Sequence, residues 1–137
     1  MSKIKILITE DERIIALDIK QVLIKLGFDV IGIVSSGKAA LKKVKDEKPD
    51  IVLMDIILNG PLTGIETAEI ISKETSTPVI FITALDLSKD PHYKSITKNY
   101  ICLKKPFNEI ELDSAIRKIL KNKLDVHRIL STDPQTL

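Results

Sequence analysis

Five side chains in this sequence have the chemistry needed to move a phosphoryl group: Glu10, Asp11, Asp55, Thr83 and Lys105. An aspartate is a weak nucleophile towards phosphorus, because two anions must approach each other, unless a cation neutralises the transferring oxygens. Mg²⁺ prefers oxygen ligands and keeps several waters, so the three carboxylates suffice to hold it. The lysine ammonium and the threonine hydroxyl could stabilise charge on the remaining phosphoryl oxygens. The set predicts Mg²⁺-assisted phosphorylation of an aspartate, provided that the fold gathers these residues.

Five short apolar runs, rich in β-branched residues and bounded by turn or charged residues, predict five β-strands. The runs are Ile4–Thr9, Val30–Val34, Ile51–Met54, Val79–Ile82 and Tyr100–Leu103. Most are continuously apolar rather than alternating in polarity. This pattern is typical of a parallel sheet whose two faces are both covered by helices.

Segments with helical spacing separate and follow these runs. In the clearest one, residues 12–26, a single apolar stripe precedes Gly27 and is formed by Ile15, Ile19, Val22, Leu23 and Leu26. Further helices are predicted over 37–47, 64–74 and 88–98, the last weakly patterned and containing Pro91. A fifth helix begins with Asn108 as N-cap and continues through Ile110, Ile116, Ile119 and Leu120.

The alternation of strand and helix predicts an α/β fold with a doubly wound parallel sheet, because consecutive parallel strands need a right-handed crossover. In such sheets ligands bind beyond the C-terminal ends of the strands. Glu10 and Asp11 follow the first predicted strand, and Asp55 follows the third. Thr83 follows the fourth strand and Lys105 comes shortly after the fifth. The predicted fold therefore brings all five side chains to one edge of the sheet.

The composition fits one domain, since 137 residues with 44% hydrophobic content are enough to bury a core. We expect this domain over residues 1–121, with 122–137 as a C-terminal tail or helix extension too short for an output domain. The 21 Lys and Arg nearly balance the 19 Asp and Glu, so neither direct nucleic-acid binding nor membrane binding is expected. The single cysteine, Cys102, excludes an intrachain disulfide, and no signal peptide is apparent. These features favour a cytoplasmic location.

The sequence resembles the response-regulator receiver family of two-component signalling over roughly Lys3 to Lys121. Five short segments carry the resemblance, in order and at the right spacing: Ile6-Leu7-Ile8-Thr9-Glu10-Asp11-Glu12, Ile51-Val52-Leu53-Met54-Asp55, Gly64-Ile65-Glu66, Pro78-Val79-Ile80-Phe81-Ile82-Thr83-Ala84 and Lys104-Lys105-Pro106-Phe107. The resemblance implies a single (βα)5 domain of flavodoxin-like strand order 2-1-3-4-5.

The resemblance also implies a role for each site residue. Asp55 would be the phosphorylated residue, Thr83 the switch hydroxyl, and Lys105 the phosphate-pairing cation, with a cis peptide bond before Pro106. Mg²⁺ would be held by Glu10, Asp11, Asp55 and, through its backbone carbonyl, Ile57.

The implied partners are proteins. A sensor histidine kinase or a phosphotransfer protein would donate the phosphoryl group, and an unidentified downstream protein would respond. The face built from the fourth helix, the fifth strand and the fifth helix, residues 85–121, would change on phosphorylation. Homodimerisation through this face is a further option.

Two departures from the family pattern matter for function. The aromatic residue usual three positions before the lysine is replaced by Cys102, and Tyr100 lies two residues earlier on the same face of the strand. This puts the usual aromatic coupling to Thr83 in doubt. Ile57 and Leu85 are apolar at positions that often modulate access of the hydrolytic water in this family. We therefore expect slow loss of the phosphoryl group.

The sequence disfavours several other functions. Residues 36–39 lack the first glycine and the final Ser or Thr of a nucleotide-binding phosphate loop, and no GxGxxG follows the first strand. An aspartyl phosphatase with a DxD motif would need an acid at Ile57. The open alternative is a pseudo-receiver, an interaction module that keeps the fold without being phosphorylated. Retention of all five site residues favours the phosphoacceptor, which is a signalling domain rather than an enzyme.

Overall fold

A computed structural model describes residues 3–89 and 91–131. The strands are β1 (Lys5–Thr9), β2 (Asp29–Val34), β3 (Ile51–Asp55), β4 (Val79–Thr83) and β5 (Ile101–Lys104). The helices are α1 (Arg13–Lys25), α2 (Gly37–Glu47), α3 (Gly64–Glu74), α4 (Lys94–Asn99) and α5 (Glu109–Ser131), with a 3₁₀ turn at Pro91–Tyr93. The part of the predicted tail from 132 to 137 lies outside the described residues.

The five strands form one parallel sheet in the order β2-β1-β3-β4-β5. The predicted α/β fold and strand order are therefore confirmed. Every residue of β3 and of β4 is buried, as expected for strands covered on both faces. The order reverses at β1, so the C-terminal ends of β1 and β3 flank the crevice where ligands of such sheets bind.

Two layers of helices bury the two faces of the sheet. The first core lies under α1 and α5 and includes Ile19, Leu23, Leu112 and Ile116. The second core lies under α2, α3 and α4 and includes Val44, Ala68, Ile71 and Ile96. Alternate residues of each strand supply the two cores, which is why the strands contain almost no polar positions.

Side-chain caps fix the beginnings of three helices close to the C-terminal ends of the strands. Ser36 accepts a hydrogen bond at the start of α2, and Thr63 with Glu66 forms a capping box at the start of α3. The predicted N-cap Asn108 accepts from the Glu111 N–H at 2.8 Å. Such a cap contributes about 1 kcal/mol to stability and sets where the helix begins.

The fourth helix is shorter than predicted, with six residues preceded by the 3₁₀ turn that begins at Pro91. Proline lacks the N–H that a helix interior needs, so the regular helix begins after it. The fifth helix contains Ile110, as predicted, and this side chain is 76% exposed. It precedes the buried Leu112 by two residues, which places it about 200° around the helix.

The fifth helix is longer than the sheet that it covers. Its 23 residues span about 34 Å, whereas the five residues of β1 span about 17 Å. Among the α5 side chains that the structure describes, the buried ones lie between Leu112 and Ile119. Residues 122–131, here called the α5 extension, therefore continue the helix past the covered sheet. No helix within the described ranges is both long and apolar enough to cross a membrane.

Candidate functional site

Three carboxylates converge where β1 and β3 end. Glu10 and Asp11 follow β1, Asp55 is the last residue of β3, and ligand oxygens of the three lie within 4.8 Å of one another. Glu10 is almost fully buried, Asp55 is buried, and Asp11 is partly exposed. The structure thus brings the three predicted acidic residues together, with Asp11 the most exposed of the three.

The Lys105 ammonium neutralises part of this negative charge. Its Nζ donates to Asp55 Oδ2 at 2.9 Å and also forms an ion pair with Glu10 Oε1. The backbone holds the lysine in place, because its N–H donates to the Thr83 carbonyl at 2.7 Å. The peptide bond between Lys105 and Pro106 is cis, as predicted.

A glycine allows the start of α3 to approach Asp55 closely. A Cβ on Gly64 would lie 2.0 Å from the Asp55 carbonyl oxygen and 2.8 Å from Ile56 Cα. In addition, the Gly64 N–H donates to the Ile56 carbonyl at 2.9 Å. The end of β3 is therefore clamped against α3 by backbone contacts that no other residue type would permit.

The remaining predicted residues lie beside the acidic cluster. Ile57 donates its backbone N–H to Asp55 Oδ1 at 3.1 Å, while its side chain is 58% exposed. The buried Thr83 hydroxyl accepts from the Leu85 N–H at 3.1 Å. Thr83 ends the strand next to Asp55, and its hydroxyl is bonded to the loop that follows it rather than to the carboxylates.

The proximity of like charges perturbs protonation. Burial, together with the neighbouring Asp55 carboxylate, raises the pKa of Glu10 from 4.5 to about 7, although Lys105 opposes the shift. Burial lowers the pKa of Lys105, but hydrogen bonds and ion pairs with Glu10 and Asp55 raise it more, so the net pKa lies above its ordinary value. Lys105 is consequently protonated at neutral pH and available as a cation.

The donor set fits a hard divalent cation. Three carboxylates that can each offer one oxygen within a few ångströms of a common point match the ligands Mg²⁺ takes in proteins. A cation at this point would also relieve the repulsion between Glu10 and Asp55 that raises the Glu10 pKa.

The aromatic side chain two residues before Cys102 packs on the hydrophobic core. Tyr100 lies against Phe81 in an edge-to-face arrangement with ring centroids 4.9 Å apart. Both Tyr100 and Cys102 contact the core under α2, α3 and α4, so they share a face as predicted. Burial raises the pKa of the Cys102 thiol to about 11, which makes it an unreactive small side chain.

Two features of the site were not predicted from the sequence. Gly64 had no predicted role, although a glycine at the first position of a predicted helix was a visible sign of close backbone approach. Thr9 was not predicted either, and its fully buried hydroxyl has no hydrogen-bond partner among the described residues. No sequence signal could have revealed this, since a threonine at a strand end is ordinary.

The family model of the response regulator receiver domain matches residues 6–117. The chain belongs to the response-regulator receiver family. Members of this family are signalling domains rather than enzymes with an external substrate, their partners are typically histidine kinases, and phosphorylation of an aspartate is general among them. Receiver domains generally bind Mg²⁺ through acidic residues, and the cluster of Glu10, Asp11 and Asp55 supplies such residues here.

Curated relatives of this receiver domain include longer regulators. The transcriptional regulatory protein YvrH of Bacillus subtilis is 35% identical over 123 residues, which cover 88% of this chain and 51% of that protein. The alkaline phosphatase synthesis transcriptional regulatory protein PhoP of the same organism is 32% identical over 118 residues, 85% of this chain and 48% of that protein. The receiver domain thus spans about half the length of these relatives.

Solved structures give the same family assignment. The signal receiver domain of a modulated diguanylate cyclase from Desulfovibrio desulfuricans superposes with a TM-score of 0.78 and is 36% identical, over 88% of this chain and 97% of that one. The anti-anti-sigma factor PhyR from Bartonella quintana gives a TM-score of 0.78 at 30% identity, over 95% of this chain and 52% of that one. Receivers similar to this one therefore occur in proteins with different outputs.

Proposed function

We propose that Asp55 accepts a phosphoryl group from a histidine kinase or phosphotransfer protein in a Mg²⁺-dependent reaction. One observation carries this proposal: oxygens of Glu10, Asp11 and Asp55 lie within 4.8 Å of one another while the Lys105 ammonium donates to Asp55. A domain that only bound partners would gain nothing from three carboxylates held together, because the repulsion among them costs stability. Residues 1–121 would form the receiver unit and act in the cytoplasm.

The backbone and Lys105 orient the Asp55 carboxylate. Its Oδ1 accepts from the Ile57 N–H, and its Oδ2 faces the lysine ammonium. In transfer from a phosphohistidine, a bond forms between an Asp55 oxygen and phosphorus while the bond from phosphorus to the imidazole nitrogen breaks. Bound Mg²⁺, held by Glu10, Asp11, Asp55 and the Ile57 carbonyl, would neutralise the charge of the approaching anions.

Lys105 and Thr83 would then secure the product. The ammonium can transfer one hydrogen bond from Asp55 to a phosphoryl oxygen without leaving the site, since it has three donors. Among the described residues the Thr83 hydroxyl accepts from the Leu85 N–H, so its own hydrogen could be donated to a phosphoryl oxygen. These charge-assisted bonds are about twice as strong as neutral ones.

The output would follow from movement at the same edge of the sheet. Phosphorylation adds about one and a half to two negative charges, which is enough to reorganise neighbouring loops. The face spanning residues 85–121 begins with Leu85, whose N–H is bonded to Thr83, so displacement of the threonine perturbs this face directly. A downstream protein, or a second receiver, would recognise the altered face.

Loss of the phosphoryl group should be slow. The Ile57 side chain is largely exposed at the edge of the site, and Leu85 is partly buried beside Thr83. Neither side chain carries a hydrogen-bonding group that could orient an attacking water. The phosphorylated receiver would therefore persist until a partner or phosphatase acts.

Intact mass spectrometry after incubation with acetyl phosphate and Mg²⁺ tests the proposal. We expect the mass of one phosphoryl group to be added, and we expect no addition in the Asp55→Asn variant or when EDTA replaces Mg²⁺. Asp50→Asn is a matched control, because Asp50 accepts from the Lys5 N–H far from the cluster and its variant should still be phosphorylated. Absence of any phosphorylated species, in a protein that remains folded, would favour the pseudo-receiver.

A further inference from the structure

The loop between β4 and α4 carries an acidic side chain with three partners. Asp86 Oδ1 accepts from the Ser88 hydroxyl at 2.6 Å and from the Ser88 N–H at 3.2 Å. Asp86 Oδ2 lies 3.7 Å from the Lys89 ammonium and 4.0 Å from the Lys104 ammonium. The hydrogen bonds from Ser88, followed by the two nearby cations, hold the pKa of Asp86 below its ordinary value, so the carboxylate is charged at neutral pH.

Lys104 is the partner that connects this loop to the sheet. The other two partners belong to the same loop as Asp86, so their contacts only shape the loop locally. Lys104 instead ends β5 and pairs in register with Thr83 of β4. The end of β5 is fixed in turn, because the Lys105 N–H donates to the Thr83 carbonyl at 2.7 Å. The ion pair between Asp86 and Lys104 therefore ties the loop to a strand end that is held in place.

The same loop begins at the proposed switch hydroxyl. The Thr83 hydroxyl accepts from the Leu85 N–H at 3.1 Å, and Asp86 is the next residue along the chain. When the hydroxyl turns towards a phosphoryl group on Asp55, as the proposed function requires, Leu85 loses this hydrogen bond. A shift of Leu85 relative to β5 changes the distance between Asp86 and Lys104, because one lies on the loop and the other on the strand.

The strength of the contact suits a switch. The Lys104 side chain is 63% exposed and that of Asp86 is 36% exposed, so water and salt screen the attraction between them. An ion pair of this kind shifts a conformational equilibrium by about fivefold at most. Such a contact biases the position of the loop without locking it.

We propose that the ion pair between Asp86 and Lys104 is a latch that holds the β4–α4 loop in the conformation of the unphosphorylated receiver. The latch rests on the proposed function, because it regulates the domain only if Asp55 is phosphorylated. A contact that is made in the unphosphorylated conformation and lost in the other opposes occupation of the phosphoryl site. By linkage, removal of the contact should strengthen binding at that site by the same factor.

Beryllium trifluoride measures this effect at equilibrium, because the anion imitates a phosphoryl group on an aspartate. Its affinity for the full chain in Mg²⁺ would be determined by isothermal titration calorimetry. Asp86→Asn keeps an oxygen that can accept from Ser88 but removes the charge, and Lys104→Gln removes the opposite charge. Each variant should bind about two- to fourfold more tightly than wild type, and the double variant no more tightly than either alone.

The sign of the Lys104→Gln effect is diagnostic. Loss of a cation near an anion site would by itself weaken binding, whereas release of the latch strengthens it. Lys89→Gln is the matched control, because it removes a cation from the same carboxylate without freeing the loop from β5. Its affinity should not exceed that of wild type. Weaker binding by Lys104→Gln, or tighter binding by Lys89→Gln, overturns the latch.

Reversal of the pair tests the same contact at constant net charge. Asp86→Lys alone brings two cations together and should tighten binding, whereas Asp86→Lys/Lys104→Asp rebuilds the pair and should return the affinity to the wild-type value. Failure of the reversed pair to do so also overturns the latch. A wild-type protein that neither binds the anion nor gains a phosphoryl group from acetyl phosphate overturns the proposed function, so the two failures are distinguishable.

Discussion

Replacing Glu10 by glutamine should make the metal-free protein more stable at alkaline pH, although Glu10 belongs to the proposed metal site. The carboxyl group is almost fully buried, and burial with the adjacent Asp55 raises its pKa from 4.5 to about 7. In the unfolded chain the same group titrates near 4.5. Between these two pH values the folded state therefore holds a proton that the unfolded state has lost.

The sign of the effect follows from this difference in bound protons. Stability falls as pH rises wherever the folded state binds more protons, so Glu10 lowers the free energy of unfolding progressively from pH 4.5 to about 7. A pKa difference of this size corresponds to about 3 kcal/mol once the group is fully ionised. Lys105 does not change the pH dependence of stability between pH 4.5 and about 7. Its ordinary pKa of 10.5 lies above this range, and its pKa in the folded protein is higher still.

Urea unfolding of wild type and Glu10→Gln in EDTA, at pH 5, 6, 7 and 8, measures the effect. The difference in unfolding free energy should shift in favour of the variant by about 2 to 3 kcal/mol between pH 5 and pH 8. Asp46→Asn removes the same charge from an exposed position on α2 and controls for net charge. A difference between Glu10→Gln and wild type that stays constant across this range would refute the assignment of a buried, proton-binding Glu10.

Three further outcomes test other parts of the site. Thr9→Val should raise the unfolding free energy by about 1 kcal/mol, because it removes a buried hydroxyl without a partner; a loss of stability would show that the hydroxyl is satisfied. Gly64→Ala should lower the unfolding free energy by about 3 kcal/mol or more, since the new Cβ would lie 2.0 Å from the Asp55 carbonyl oxygen. A loss below about 1 kcal/mol in urea unfolding would contradict this expectation. Ile57→Asn should shorten the lifetime of the phosphorylated protein about tenfold, because one hydrogen bond from the new side chain to the attacking water would speed hydrolysis by about that factor. An unchanged rate of decay, measured by intact mass, would contradict the role of Ile57 as an apolar barrier.

The fold was predictable because its signals are local and repeated. Continuous apolar runs such as 51–54 and 79–82 identified strands buried on both faces, and the stripe over 12–26 identified α1. The fourth helix was not delimited correctly, because a six-residue polar helix next to Pro91 has too few apolar positions to set a period.

The residues that come together at the site could be predicted, because the C-terminal ends of the strands in a parallel sheet lie at one edge. Glu10, Asp11, Asp55 and Lys105 were placed together on that argument alone, and they do lie together. Their energetics were not predictable. Whether Glu10 is buried, and how far its pKa rises, depends on distances of a few ångströms that spacing along the chain does not specify.

Cys102 replaces the aromatic residue that is usual at this position in the family. This replacement limits the ways in which Thr83 could be coupled to the face over residues 85–121. Tyr100 lies edge-on against Phe81 and packs on the core under α2, α3 and α4. In the proposed switch, coupling would then depend on two hydrogen bonds at Thr83: its hydroxyl accepts from the Leu85 N–H, and its carbonyl accepts from the Lys105 N–H. Movement of the threonine hydroxyl towards a phosphoryl oxygen, which the proposed function requires, would strain the first bond and leave the second in place. The loop after β4 should therefore respond first, with β5 as the fixed reference.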